Sequence, residues 1–140
     1  MENFYSLEPE VAGELGPKTI MDSSVHPPIV SKLHFIFSGW LGDEIIECFP
    51  CYIVTEGLVQ EIKKLQPSGC WFDDVTIEKS EQFNELYPNK LLPKFKWLKV
   101  EGKAGKDDFG ISPDNLLVVS ERMLKVLKSF NLNECDITDL

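Results

Sequence analysis

Two cysteines, Cys48 and Cys51, stand in a C-x-x-C arrangement within the segment DEIIECFPCYIVTE. This spacing occurs in thioredoxin-type redox sites and in zinc knuckles. A redox thiol of that type is acidified by a helix that begins at the cysteines, but Cys51 is followed by Tyr-Ile-Val, which is typical of a strand. Carboxylates close to a thiol, such as Glu44 and Glu47 here, raise its pKa. The sequence therefore favours packed core cysteines over a redox pair.

A zinc site is the second chemistry that cysteines offer, and it requires four ligands. Only one C-x-x-C pair is present, Cys70 and Cys135 are isolated, and His26 and His34 are far apart along the chain. A site made from all four cysteines is the alternative, whereas free cysteine is commonly a buried residue. We expect no metal and no cofactor.

Carboxylates cluster in three segments, which contain Asp43, Glu44 and Glu47, then Asp73 and Asp74, and finally Asp107 and Asp108. Paired carboxylates do acid–base work or hold a hard metal when they converge in a pocket. The letters DDFG include a kinase motif, but no glycine-rich loop, paired lysine or H-R-D sequence accompanies it. No G-x-S-x-G sequence and no phosphate-binding glycine pattern occurs. The sequence predicts a protein that is not an enzyme; a small enzyme or metal-binding protein that uses the acidic segments or the cysteines is the alternative.

The charge balance gives information about partners, because 23 acidic residues face 14 basic ones and the net charge is -9. Such a protein repels nucleic-acid phosphate and attracts a basic protein partner, although acidity also serves solubility alone. No apolar stretch approaches the roughly 20 residues that span a bilayer. The N-terminus lacks the pattern of a secretory signal, so we expect a cytoplasmic protein whose cysteines are thiols.

The elements that position these side chains follow from periodicity. The predicted strands are FYSL, the alternating stretch of SKLHFIFSGWLG that ends at Gly39, CYIV, a strand within CWFDDVTIEKS, LPKFKWLKVEG, NLLVV and, as an edge strand, NECDITDL. The segment PEVAGELGPKTIMDSSVHPP has the Gly, Pro, Asp and Ser density of loops. Thr55, Ser80 and Ser120 are predicted N-caps of helices that extend from Glu56 to about Gln66, over EQFNELY, and to Phe130. Residues 1–140 therefore predict one α+β domain with a mixed or mainly antiparallel sheet and two or three helices.

One pattern occurs twice. The sequence IVTE at residues 53–56 is echoed by VVSE at residues 118–121, and Cys70 and Cys135 follow at the same spacing. We predict two equivalent strand–cap–helix units. Common helix-start physics explains such a pair as well as an internal duplication does, since repeat architectures usually need three or more copies.

Several segments together resemble the immunity-protein families of bacterial polymorphic toxin systems: PEVAGELG, GWLGDEIIECFPCYIVTE, SEQFNELYP, LPKFKWLKVEGKAGKDDFG and LLVVSERMLKVLKSFNLNECDI. These are small cytoplasmic proteins encoded beside a contact-dependent, Rhs-type or type VI secreted toxin. The resemblance covers nearly the whole chain and implies a non-enzymatic protein that binds the toxin C-terminal domain and blocks its active site or an essential surface. It also implies that GWLGD, FPC, FKWL and DDFG are scaffold motifs. An interaction module unrelated to toxins is a further alternative.

The density of acidic residues predicts a partner interface, independently of that resemblance. The candidate residues are Asp43, Glu44, Glu47, Asp107 and Asp108, which would face a basic toxin surface. The competing hypothesis is that the two glycine-containing motifs, with Trp40 and Asp43 in one and Asp108 and Phe109 in the other, lock turns internally.

Overall fold

The structure is a computed structural model that describes residues 3–140, with three helices and thirteen strands in that range. The helices are α1 (Glu56–Lys64), α2 (Glu81–Leu86) and α3 (Glu121–Lys128). The first seven strands are β1 (Phe4–Glu8), β2 (Gly13–Leu15), β3 (Ile20–Asp22), β4 (Ile29–Lys32), β5 (His34–Phe37), β6 (Ile45–Cys48) and β7 (Cys51–Thr55). The others are β8 (Cys70–Asp73), β9 (Thr76–Lys79), β10 (Phe95–Val100), β11 (Phe109–Ile111), β12 (Leu117–Ser120) and β13 (Asp136–Asp139).

The strands form four sheets. Sheet A has the order β11-β12-β1-β13, sheet B has the order β6-β7-β10-β8, sheet C has the order β2-β5-β9, and β3 pairs with β4. All pairs are antiparallel except β5 with β9, which are parallel. The predicted α+β class with mainly antiparallel pairing and three helices is confirmed.

The three predicted caps are confirmed. The side-chain oxygens of Thr55, Ser80 and Ser120 each accept a hydrogen bond from the backbone N–H three residues later, which satisfies one of the free donors of a helix start. The helices after Thr55 and Ser120 end two residues earlier than predicted, at Lys64 and Lys128. In each case the last two residues of the predicted helix, 65–66 and 129–130, belong to the segment that leads away from the helix.

Sheet B is the middle layer, and its two faces pack in different cores. Along β7, Tyr52 and Val54 join a core with sheet A, α1 and α3, whereas Cys51 and Ile53 join a second core with sheet C and α2. Successive side chains of a strand point to opposite faces, so a strand between two layers is buried throughout. This explains the uninterrupted apolar run CYIV. The predicted alternation of β10 is also confirmed, because Trp97 and Leu98 lie in different cores.

Sheets A and B are built in the same way. In sheet B the hairpin β6–β7 is followed by α1 and β8; in sheet A the hairpin β11–β12 is followed by α3 and β13. The sequence echo therefore extends to two complete four-stranded units, and α1 packs on α3 between them. The two strand–cap–helix units predicted from the sequence are present and equivalent in position.

The remaining strand of each sheet comes from the other part of the chain. β1 lies between β12 and β13, and β10 lies between β7 and β8. The register is equivalent too, because Phe4 is opposite Ser120 and Phe95 is opposite Thr55. Each sheet thus contains one strand that is remote in sequence from its other three strands.

Two parts of the predicted element map are wrong. The segment expected to be loop contains β2 and β3, and β3 forms with β4 a hairpin that we call the arm. The single strand expected at residues 70–80 is two strands, since β8 joins sheet B and β9 joins sheet C. The chain changes sheets at Asp74 and Val75, and the pair Asp73 and Asp74 that interrupts the apolar alternation marks the end of β8.

Candidate interaction surface

The two cysteines of the C-x-x-C pair lie opposite each other in a hairpin. Cys48 ends β6 and Cys51 begins β7, with Phe49 and Pro50 forming the turn. Both are free thiols that are 5% exposed, and both pack in the core with sheet C. Burial raises the pKa of Cys51 to about 12 and raises that of Cys48 well above its ordinary value. The helix nearest in sequence begins only at Glu56, so its N-terminus does not acidify either thiol.

Metal-ligating side chains do not gather within residues 3–140: no group of three or more His, Cys, Asp or Glu side chains is placed to hold an ion. The buried His34 is part of the scaffold. Its Nδ1 accepts a hydrogen bond from the Lys18 N–H at 3.1 Å, and its Nε2 lies 2.9 Å from a Glu78 carboxylate oxygen without the alignment of a hydrogen bond. A β-carbon on Gly16 would lie 2.1 Å from the ring, so the imidazole occupies space that only glycine leaves open.

Asp43 fastens the GWLGD turn to the C-terminal segment. It is 0% exposed, and its carboxylate accepts hydrogen bonds from the backbone N–H groups of Asn133 at 2.8 Å and Glu134 at 2.7 Å. Its own N–H donates to the buried carboxylate of Glu10, and its carbonyl accepts from Trp40 Nε1 at 2.8 Å. Charge-assisted bonds of this kind compensate a buried carboxylate for the loss of water.

Asp108, in the DDFG motif, also connects separate segments of the chain through hydrogen bonds to its buried carboxylate. It is 6% exposed and accepts hydrogen bonds from Ser120 Oγ at 2.7 Å, from the Ser68 N–H at 3.0 Å and from Arg122 Nε at 2.9 Å. The bond from the Arg122 guanidinium, which outweighs the effect of burial, holds the pKa of Asp108 well below its ordinary value. The carboxylate is therefore ionised at neutral pH, and it links the N-cap of α3 to the segment after α1.

Glu44 is the counterpart of Asp108 in the other unit. Its carboxylate accepts from Thr55 Oγ1 at 3.1 Å, at the N-cap of α1, and from the Asn131 N–H at 3.0 Å, after α3. Each acid therefore binds the cap of its own unit and the segment after the helix of the other unit. The two carboxylates cross-connect the equivalent halves of the fold.

The other two predicted interface acids are half-buried. Asp107 accepts a hydrogen bond from the Lys103 N–H at 2.7 Å, which closes a turn. Glu47 lies on β6, and burial, followed by the charge of Glu8, raises its pKa. A partner contact at the five predicted acids stays a prediction. For Asp43 and Asp108, however, burial and internal hydrogen bonds leave almost no surface for such a contact, as the hypothesis of internal locks requires.

The arm carries the surface that sequence reasoning missed. β3 pairs with β4 alone, and Ile20 and Ile29 on these two strands are 58% and 61% exposed. On its inner side, Pro28 and Val30 border a cleft of about 170 Å³, which Trp97 and other side chains of sheet B also line. A two-stranded hairpin with exposed isoleucines contains more apolar surface than its own folding uses, and such surface is typical of interaction sites. The sequence signal is the pair of segments TIM and PPIV on either side of DSSVH, which the Gly and Pro density obscures.

Comparisons with known proteins give no assignment. No helix of the described residues is long and apolar enough to cross a bilayer. No protein-family model matches the chain, and no curated protein matches it.

Proposed function

We propose that this protein is an immunity protein that binds the toxin domain of a bacterial polymorphic toxin system and neutralises it in the cytoplasm of the producing cell. The exposed apolar side chains of the arm carry the proposal, because Ile20, Val25 and Ile29 are exposed and belong to neither core. The net charge of -9 supports a basic toxin domain as the partner, and the resemblance of the sequence motifs supports the class of partner. The protein acts by occupying a surface of the toxin rather than by catalysis.

Co-expression with the C-terminal domain encoded by the adjacent toxin gene tests this function. The two proteins should co-purify as a complex, and cells that express the toxin domain should survive only when this protein is present. Failure of the pure proteins to bind each other at micromolar concentration would contradict the proposal.

The role of the arm is tested by the double variant Ile20→Ser, Ile29→Ser. Removal of two isoleucines that the partner buries should weaken binding at least tenfold, since burial of one exposed isoleucine side chain contributes about 1.5–3 kcal/mol and a tenfold change in Kd corresponds to about 1.4 kcal/mol. The matched control is Leu86→Ser, Leu91→Ser, which removes two similarly exposed leucines outside the arm. Equal affinities of the two double variants would exclude the arm from the interface.

A further inference from the structure

Three segments of the chain contain no lysine or arginine: residues 3–17, 33–62 and 129–140. The fold brings all three together. β1 pairs with β13, Glu10 forms a bridge with Ile46 next to β1, and Asp43 binds the backbone at Asn133 and Glu134. The acidic residues beside these contacts, on β1, on β6 and around the start of β13, therefore share one region of the surface in which the three segments supply no cation.

Four carboxylates at this junction form what we call the acidic seam: Glu8, Glu47, Glu134 and Asp136. Glu8 and Asp136 are directly opposite each other on β1 and β13, an arrangement of like charges that destabilises a sheet. The N–H of Glu47 donates to the carbonyl of Glu10, which places β6 beside the segment that follows β1. None of the ion pairs formed among residues 3–140 includes a member of the seam.

Apolar side chains and a free sheet edge surround the acidic seam. All four residues of β13 are exposed, including Ile137, and this strand forms one edge of sheet A. Val11 and Leu41 are both exposed, and the Leu41 N–H donates to the carboxylate of Glu10 at 2.7 Å. The region thus combines apolar contact area with uncompensated negative charge.

We infer that the acidic seam and the neighbouring edge of β13 form a second docking surface, in addition to the arm, for a lysine- and arginine-rich protein domain. This inference rests on the proposed function, and the domain in question is the toxin domain. Cations of the partner would relieve the repulsion between Glu8 and Asp136, while Ile137 and its apolar neighbours would provide the desolvated contact. A nucleic acid does not fit this surface, because its phosphates are repelled by the same carboxylates.

Association kinetics test the assignment. The double variant Glu134→Lys, Asp136→Lys should associate with the toxin domain at least tenfold more slowly than the wild type at low salt, and the difference should shrink as salt is added. The matched control is Glu85→Lys, Asp114→Lys, which changes the net charge equally at two exposed acids outside the three cation-free segments. Its association rate should fall much less.

The outcomes separate the two proposals. Equal rates for the seam variant and the control variant would overturn the docking surface and leave the proposed function intact. No binding by the wild-type protein would overturn both. The midpoint of urea unfolding checks that the seam variant is folded, and it should not fall, because a lysine at residue 136 replaces a repulsive pair with an attractive one across from Glu8.

Discussion

Substitution of Asp108 should cause a large loss of stability. The variant Asp108→Asn keeps the shape of the side chain but replaces a charged acceptor of five hydrogen bonds by an amide, whose N–H₂ group would face Arg122 or Ser68. Loss of one partner of a buried ion pair costs about 3–5 kcal/mol. The Arg122 side chain is 45% exposed, so water compensates part of this loss, and we expect about 2–3 kcal/mol.

Urea unfolding measures this cost. With a slope of about 2 kcal/mol/M, the midpoint should fall by about 1–1.5 M at pH 7. The matched control is Asp107→Asn, because the neighbouring carboxylate accepts one backbone hydrogen bond and should cost about 1 kcal/mol or less. A midpoint for Asp108→Asn equal to that of Asp107→Asn would refute the view that the Asp108 cluster stabilises the junction of the two units.

The pH dependence gives a second reading of the same cluster. The Arg122 guanidinium lowers the pKa of Asp108 in the folded protein below the ordinary value of 3.8 that we take for the unfolded chain. The contribution of Asp108 is therefore complete above about pH 5 and is lost as the pH falls from there toward the folded-state pKa. The stability difference between the wild type and Asp108→Asn should be constant from pH 5 to 7 and shrink below pH 4. A difference independent of pH down to pH 3 would contradict the ion pair.

Three further predictions address the scaffold. Gly13→Ala should lower the free energy of unfolding by several kcal/mol or prevent folding, because its β-carbon would lie 1.9 Å from a carbonyl oxygen of β5. The control is Gly39→Ala, whose β-carbon would have nothing within 4 Å and which should change the unfolding free energy by less than about 0.5 kcal/mol. Cys48 and Cys51 should react with a thiol reagent at pH 8 only as fast as the protein unfolds, since burial keeps both protonated; rapid labelling of the native protein would contradict their packing. Phe37→Ala should cost about 3–5 kcal/mol in thermal or urea unfolding, because the ring is fully buried; a loss below 1 kcal/mol would count against the second core.

Structure that depends on residues close together in the sequence could be predicted. The caps at Thr55, Ser80 and Ser120 were predicted because the cap and its N–H partner lie three residues apart. The alternation of β10 was predicted because one strand contacts two cores with period two. The echo of strand, cap and helix was visible for the same reason.

Contacts between segments that are far apart in the sequence could not be predicted. Charge density places Asp43 at the surface, but the N–H groups that bind its carboxylate come from Asn133 and Glu134, about ninety residues away. Nothing in either sequence segment encodes that meeting. The arm was missed because its turn residues outnumber its apolar ones, and the acidic seam was missed because Glu8 and Asp136 become neighbours only when β1 and β13 pair.

The position of β1 between β12 and β13 has a consequence for how the protein folds. Residues 4–7 of β1 pair with residues 117–120 of β12, so sheet A cannot form before residue 120 has been synthesised. Contacts of such long sequence separation slow folding, because a large loop must close before they contribute. β1 and β13 carry two of the four carboxylates of the acidic seam, Glu8 and Asp136, and Glu134 lies just before β13. A growing chain that has not reached residue 139 therefore lacks the pair β1–β13, and a partner that requires the acidic seam does not recognise it.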